Sequence, residues 1–293
     1  MRIIEPPAKP HQRRAKQSKK PKVLIIAIVI GLVGSSIWYL HGRRQNNQDN
    51  QSAQVSSASS EEAIHKVAGV QSGPVRFFTG EQFQKLYEIL AMPNTTAIVT
   101  PPTITGNDQA DLRIRQVAES RGYKLRSVPV MPIVKTNEPG LSEDDLLQPK
   151  AYDGWLQLKK QAKNDGIPLK LNSGYRSIDW QRRFFVAKLQ ASGVSLSQIA
   201  SGQADDAILN VLHVVAPPGY SRHHTGYTID LICDDGSGRA FEHTNCFSWM
   251  NADNYAKAKQ AGWIPSYPDG VSNQGPEPEP WEYVWVGNEN LTN

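Results

Sequence analysis

An uncharged apolar run at residues 23–40 constrains the architecture of this chain more strongly than any other feature of its sequence. As an α-helix with a rise of about 1.5 Å per residue, the run would be about 27 Å long and could cross the hydrocarbon core of a bilayer. Trp38 and Tyr39 stand near its end, where interfacial aromatic residues are common. The run therefore predicts a single transmembrane helix, and a signal peptide cleaved at the small residues near 33–35 is the alternative.

The basic residues are concentrated before this run. Residues 1–22 form a strongly basic tail, whereas only Arg43 and Arg44 follow the run closely. The positive-inside rule then places residues 1–22 in the cytoplasm and the bulk of the chain outside, on the periplasmic or cell-wall side of the cell membrane. A basic tail can also bind nucleic acid, but the adjoining membrane segment argues against a nucleic-acid partner.

Composition divides the rest of the chain into three regions. Residues 41–75 are rich in Gln, Asn and Ser and poor in apolar residues, which predicts a flexible linker because such a stretch cannot bury enough surface to fold. Residues 76–135 indicate a small structured region in which we identify no chemistry. Residues 141–290 carry the motifs and predict the main domain, which we expect to be a monomer.

The periodicity after residue 76 indicates both helices and strands. Strands separated by helical stretches, without a regular βαβ repeat, predict an α+β fold with a small, mainly antiparallel sheet flanked by helices. The predicted helices cover residues 80–90, 109–121, 152–165, 178–190 and 251–262. The predicted strands cover residues 169–172, 211–215, 229–233, 263–267 and 281–286.

The chain has two cysteines, Cys233 and Cys246. The predicted topology places both outside the membrane, where disulfides persist. We therefore expect them to form a disulfide, and two free buried thiols are the alternative. The spacing contains no CxxC pattern, which argues against a zinc site built on cysteine.

The segment at residues 221–230, SRHHTGYTID, combines two histidines and an aspartate around a glycine and continues into an apolar strand. Histidine nitrogen and aspartate oxygen are common zinc ligands. His223 and Asp230 can converge on one ion if Gly226 lets the chain fold back. The segment is therefore a candidate metal site.

Three motifs in order, SGYRS at 173–177, SRHHTGYTID at 221–230 and EPW at 279–281, resemble those of the VanY-like zinc D-alanyl-D-alanine carboxypeptidases, which are peptidases of peptidoglycan. The resemblance covers roughly residues 141–287, about half of the chain. Any one motif alone would be weak, but three in the same order are specific.

The resemblance implies a role for most of the candidate site residues. His223 and Asp230 would bind Zn²⁺, and Glu279 would act as the general base. Arg176 would recognise the free C-terminal carboxylate of the substrate, since a guanidinium presents a fork that matches a carboxylate. Polar contacts in the same pocket would come from Ser173, Gln181 and Ser221.

The third motif departs from the family pattern. The family has a histidine, its third zinc ligand, at the position that Glu282 occupies here. Glu282 can bind the metal itself, because carboxylate oxygens are ordinary zinc ligands. Alternatively His224 or His243 supplies the third ligand, or the site binds metal poorly and the protein is a peptidoglycan-binding pseudoenzyme. Otherwise we interpret His224 as a solvated loop residue and His213 as structural.

The resemblance and the apolar run together predict a membrane-anchored zinc carboxypeptidase that removes the terminal D-alanine of peptidoglycan stem peptides. An endopeptidase that cuts cross-links is a further alternative, but Arg176 favours a substrate with a free carboxylate.

Overall fold

A small antiparallel sheet and two groups of helices form the part of the chain that a computed structural model describes, residues 74–141 and 145–292. The helices are α1 (Gly80–Ile89), α2 (Asp108–Ser120), α3 (Pro149–Asn164), α4 (Ile178–Ala191), α5 (Leu196–Ala200), α6 (Asp205–Leu212) and α7 (Asn245–Gln260). The strands are β1 (Thr95–Ala97), β2 (Ser127–Pro129), β3 (Val134–Lys135), β4 (Leu146–Leu147), β5 (Leu169–Ser173), β6 (Thr228–Cys233), β7 (Trp263–Pro265) and β8 (Glu282–Trp285). Single 3₁₀ turns occur at Arg222–Thr225, Phe241–His243 and Asn288–Asn290. The predicted mixture of helices with a small antiparallel sheet is confirmed.

The predicted cytoplasmic tail and transmembrane helix, and nearly all of the predicted linker, lie outside the described residues. Among the residues that are described, no helix is both long enough and apolar enough to cross a membrane. The described residues belong to one compact unit. The boundaries between the regions that the sequence suggests stay a prediction.

The main sheet has four strands in the order β5-β6-β8-β7, and all neighbours are antiparallel. Side chains of β5 alternate between buried and exposed, as expected for a strand with one face on the core. In the pairing of β6 with β8, Asp230 lies opposite Glu282. The register of the sheet therefore brings two carboxylates to the same place, although they come from distant parts of the sequence.

A hydrophobic core covers one face of this sheet. The α3 residues Trp155 and Leu158 are fully buried in this core together with Ile229 and Leu231 of β6, which project from the same face of the sheet. Proline at the first position of α3 starts the helix at residue 149, a few residues earlier than predicted. Leu156 is 44% exposed, because it lies on the outer side of the amphipathic helix.

A second hydrophobic core is built by helices α2, α4, α5 and α6. Ile114, Phe185 and Ile208 are fully buried in it. Asn107 caps α2 by accepting a hydrogen bond from the Ala110 N–H. Phe83 of α1 lies in the core of the sheet, and Ile114 of α2 lies in the second core. The 76–135 region therefore contributes residues to both cores.

The predicted strand at residues 211–215 is wrong. These residues form the end of α6 and the turn that follows it. Ile208, Leu212 and Val215 are all buried in the second core, and their spacing of four and three residues is helical rather than alternating. Burial of one helical face has overridden the β-propensity of the valines here.

The predicted disulfide between Cys233 and Cys246 is confirmed. It joins the end of β6 to the first turn of α7, so that the helix is tethered to the strand that carries Asp230. The alternative of two free thiols is thereby excluded.

We expect replacement of both Cys233 and Cys246 by Ala to lower the free energy of unfolding by about 3 kcal/mol, because the cross-link restricts the unfolded chain. Urea denaturation of the full-length protein with and without a reductant measures this. The reductant should lower the free energy of unfolding of the wild type to that of the double variant, and it should leave the value for the variant unchanged. A wild type that is equally stable in both conditions would contradict the prediction.

Candidate metal centre and substrate pocket

The turn at Gly226 brings the two motif residues His223 and Asp230 together. The chain forms a 3₁₀ turn at Arg222–Thr225, and Gly226 then adopts a left-handed conformation with φ of 74° before β6 begins. A side chain at position 226 would be strained in this conformation, and its Cβ would lie 3.1 Å from the Cγ of Gln148. The chain therefore folds back at this glycine, as the sequence predicts.

His223, Asp230 and Glu282 form a buried cluster of ligand-type side chains. The Nε2 atom of His223 lies 3.3 Å from Oδ1 of Asp230 and 3.3 Å from Oε2 of Glu282. One ligand atom from each of the three residues lies within 4.8 Å of the others. Across the described residues, no other group of three or more His, Cys, Asp or Glu residues has this arrangement.

The donor set of this cluster fits a divalent cation such as zinc. His223 Nδ1 lies 2.6 Å from the carbonyl oxygen of Gly174, so Nδ1 donates a proton and Nε2 is directed at the two carboxylates. His223 Nε2, Asp230 Oδ1 and Glu282 Oε1 are buried and have no hydrogen-bond partner. Buried polar atoms without partners are rare, and here a metal ion would satisfy them.

The electrostatics of the cluster in the absence of a metal follow from the same contacts. Burial and Arg176 lower the pKa of His223, but Asp230 and Glu282 outweigh them and raise that pKa to about 9. Burial alone would raise the pKa of Glu282, but the neighbouring imidazolium of His223, 3.3 Å away, and the charge of Arg222 lower it to about 2. A protonated imidazole thus stands between two carboxylates, and a divalent cation would replace its proton.

Glu279 lies beside the cluster, just before β8. Its carbonyl oxygen accepts a hydrogen bond from the Glu282 N–H at 3.0 Å, and its side chain lines the pocket next to the cluster. Burial, followed by the charges of Glu282 and Asp230, raises the pKa of Glu279 to about 9. A cation at the cluster would act in the opposite direction and favour the ionised carboxylate.

Arg176 extends from the metal cluster into the pocket. Its Nε donates to Ser173 Oγ at 3.0 Å, and its Nη2 contacts Oδ2 of Asp230. The guanidinium also lies 5.5 Å from the ring centroid of Trp180, and the side chain is 22% exposed. Arg176 is therefore held in one orientation and still reaches the pocket.

The other predicted pocket residues take different positions. Gln181 and Ser221 are buried and line the pocket together with Arg176, Glu279 and Glu282. The Nε2 of Gln181 donates to the Ala216 carbonyl oxygen at 2.7 Å, whereas its Oε1 is buried without a hydrogen-bond partner. Ser173 is buried behind the pocket, where it accepts the hydrogen bond from Arg176 and thereby orients it.

The sequence analysis did not identify Arg222 as a site residue. Its side chain is buried, and Nη1 lies 3.9 Å from Oε1 of Glu282. The guanidinium lies between two aromatic rings, 5.2 Å from the centroid of Tyr87 and 4.0 Å from that of Tyr267. It also donates to the Ser266 carbonyl oxygen. Arg222 therefore places a fixed positive charge beside the carboxylate that replaces the expected histidine.

The remaining histidines do not contribute to the cluster. His224 is buried, Nδ1 donates to the Arg176 carbonyl oxygen at 2.6 Å, and Nε2 accepts from the Gly219 N–H at 3.0 Å. Its interpretation as a solvated loop residue is therefore wrong, and both ring nitrogens are already engaged. His243 is an exposed residue at the end of a 3₁₀ turn. His213 follows α6 and lies 2.7 Å from the Glu277 carboxylate, in agreement with a structural role.

Residues 76–135 contribute to the substrate pocket, although no functional residue was predicted there. Tyr123 and Arg126 from this region line the same pocket as Arg176 and Glu279. The hydroxyl of Tyr123 donates to the Leu212 carbonyl oxygen at 2.6 Å, which fixes its ring at the pocket. Neither residue belongs to a recognisable motif, so the sequence alone offered no signal for them.

Comparison with known proteins agrees with the motifs. Residues 144–288 match the sequence model of the VanY family, described as D-alanyl-D-alanine carboxypeptidase. A D-alanyl-D-alanine carboxypeptidase of Enterococcus faecalis is 30% identical over 135 residues, which are 45% of this chain and 45% of that protein. The match thus spans less than half of the length of this relative.

Two solved structures are also similar to this one. The LdcB LD-carboxypeptidase shares 25% identity with a TM-score of 0.41, over 56% of this chain and 73% of the other. A mutant of the vancomycin-resistance D,D-pentapeptidase VanY, in complex with Zn(II), shares 22% identity with a TM-score of 0.38, over 57% of this chain and 82% of the other. On the evidence of its sequence matches, the chain belongs, through residues 144–288, to the VanY-like family of D-alanyl-D-alanine carboxypeptidases.

Proposed function

We propose that this chain is a membrane-anchored, zinc-dependent carboxypeptidase that removes the terminal D-alanine from peptidoglycan stem peptides. The observation that carries the proposal is the buried cluster of His223, Asp230 and Glu282, with Glu279 and Arg176 beside it in one pocket. The cluster offers three metal-ligand atoms, and the pocket offers a carboxylate and a guanidinium next to them. These are the groups that metal-assisted peptide hydrolysis at a free C-terminus requires.

Each residue has a distinct task in this reaction. A bound zinc ion would supply a water molecule of lowered pKa and polarise the scissile carbonyl. Glu279 would accept the proton of that water and transfer it to the leaving amine. His223, Asp230 and Glu282 would hold the ion, and the hydrogen bond from His223 to the Gly174 carbonyl oxygen fixes the orientation of the imidazole.

Arg176 would bind the terminal carboxylate of the substrate. Its hydrogen bond to Ser173 and its stacking on Trp180 restrict the guanidinium, so that little conformational freedom is lost when the substrate binds. This arrangement favours removal of a C-terminal residue over cleavage within a cross-link. Gln181 and Ser221 would add polar contacts in the same pocket.

A second candidate function is a peptidoglycan-binding protein without hydrolytic activity. The observation that favours it is the presence of Glu282 at the position of the family's third zinc ligand, a histidine. The carboxylate of Glu282 near the ion makes the bound water less acidic than the neutral imidazole of a histidine would. Arg176 would then still hold the peptide terminus.

The membrane anchor and the extracytoplasmic location are part of the proposal. The support is the basic tail at residues 1–22 and the apolar run at residues 23–40. The disulfide between Cys233 and Cys246 agrees with an oxidising compartment, since disulfides are rare in the cytosol.

We expect the full-length protein to bind about one zinc ion and to release D-alanine from a pentapeptide that ends in D-Ala-D-Ala. Replacement of Glu279 by Gln should lower kcat by about 10²- to 10⁴-fold, because the proton acceptor is lost. Zinc content by elemental analysis and D-alanine release by a coupled assay measure both. A protein that binds the peptide but releases no D-alanine with zinc present would support the pseudoenzyme instead.

We expect the substitution Glu282→His to weaken zinc binding by at least about tenfold, although it restores the family's ligand. The reason is that Arg222 would lose its carboxylate and remain as a buried charge without a counterion. The double variant Glu282→His with Arg222→Met should recover affinity, which isothermal titration with zinc measures. An increase in zinc affinity and activity in the single variant would show instead that the natural site is impaired.

We expect Arg176→Ala to raise KM about 10- to 100-fold for a peptide with a free C-terminus, because a charge-assisted hydrogen bond is lost. The same peptide with an amidated C-terminus should be affected little by the substitution. The variant Arg176→Lys should be intermediate, because it keeps the charge but not the fork. An equal rise in KM for both peptides would indicate that Arg176 acts only through Asp230. The zinc content of each variant is the control.

A further inference from the structure

The pocket contains a second arginine, Arg126, that the reaction described above does not use. It lies beside Arg176 in the lining of the pocket, although it precedes the family domain in the sequence. Its backbone N–H donates to the Gly219 carbonyl oxygen at 2.9 Å, and this bond joins Arg126 to the turn before Ser221. Its guanidinium lies 5.2 Å from the centroid of Tyr87. The backbone and one face of the side chain are therefore fixed.

Two of the three carboxylates at the site already have cationic partners. Asp230 contacts Arg176, and Glu282 lies 3.9 Å from Arg222. In the described part of the chain, by contrast, the guanidinium of Arg126 has no ion pair, and its buried Nε has no hydrogen-bond partner. A partly buried guanidinium without an acceptor is costly, so an anionic ligand that supplies one would be favoured.

The net charge of the site also favours an anionic ligand. Three arginines, Arg126, Arg176 and Arg222, stand against the three carboxylates Asp230, Glu279 and Glu282. A divalent cation at the metal cluster would then leave about two positive charges in excess. A single substrate carboxylate at Arg176 neutralises only one of them.

We propose that Arg126 binds a second carboxylate of the substrate peptide. The preferred ligand then has a free C-terminus at Arg176 and an acidic group on one of the two residues before the terminal pair. Stacking on Tyr87 restricts Arg126 to one plane, which suits the two-pronged geometry of a carboxylate. This inference rests on the proposed function, because it assigns the peptide terminus to Arg176.

The test compares peptides that end in D-Ala-D-Ala and differ only in carrying an acidic or an amidated side chain, at each of the two preceding residues in turn. Binding is measured by isothermal titration with the zinc-loaded full-length protein, in a Glu279→Gln background that suppresses turnover. The variants are Arg126→Gln, Arg126→Lys and the control Lys160→Gln, which removes one exposed positive charge from α3, outside the pocket.

We expect an acidic peptide to bind about tenfold more tightly than its amidated counterpart, since it gains a charge-assisted hydrogen bond. Arg126→Gln should abolish this preference, and Arg126→Lys should retain part of it. Lys160→Gln should leave it unchanged.

The inference is overturned if the unsubstituted pocket binds acidic and amidated peptides equally, if it binds neither, or if the preference persists in Arg126→Gln. A loss of preference in Lys160→Gln of the same size would also overturn it, because the effect would then be one of net charge. These binding measurements do not depend on hydrolysis. A protein that prefers acidic peptides but releases no D-alanine in the separate activity assay would refute the proposed activity and leave this inference standing.

Discussion

The antiparallel pairing of β6 with β8 is the interaction on which the rest of the site depends. It places Asp230 opposite Glu282, and the turn at Gly226 brings His223 to within 3.3 Å of both carboxylates. The register is held by buried apolar side chains on the core face of the sheet. A slip of one residue would turn every side chain to the opposite face and would separate the two carboxylates from His223. The hydrophobic core therefore determines the geometry of the polar cluster.

The same cluster concentrates negative charge in a buried space, and this charge needs compensation. Glu282 adds a carboxylate where the family has a neutral imidazole, and Glu279 lies beside it. Arg222 provides a positive charge that is buried with Glu282 and cannot move away, because Tyr87 and Tyr267 enclose its guanidinium. A buried charge is tolerated when it is paired and hydrogen-bonded, and Arg222 has both a carboxylate partner and a hydrogen bond to the Ser266 carbonyl oxygen. The unusual third ligand position and the buried arginine are thus best understood as one unit.

Local patterns explain which features the sequence could predict. The glycine at position 226 suffices to predict that His223 and Asp230 converge, whereas Glu282 is indicated as their partner only by its position in the family's third motif. The strand predicted at residues 211–215 is wrong because short apolar runs fit both periods, and only the second core shows which face is buried. The environment of His224 depends on the backbone of Gly219 and Arg176, and that of Arg222 depends on rings from distant segments. Such contacts exist only in the folded chain, so the sequence alone could not predict them.

The segment before the family domain shapes the pocket without contributing a metal ligand. Tyr123 and Arg126 form part of its wall, and their hydrogen bonds to the Leu212 and Gly219 carbonyl oxygens attach that wall to the family domain. Changes in this wall can alter which peptides bind while the metal cluster stays the same. Tyr87 is different, because its ring lies against Arg222, the residue that pairs with Glu282. Through this one contact, the preceding segment also supports the carboxylate that replaces the family's histidine, so the segment and the altered ligand set depend on each other physically.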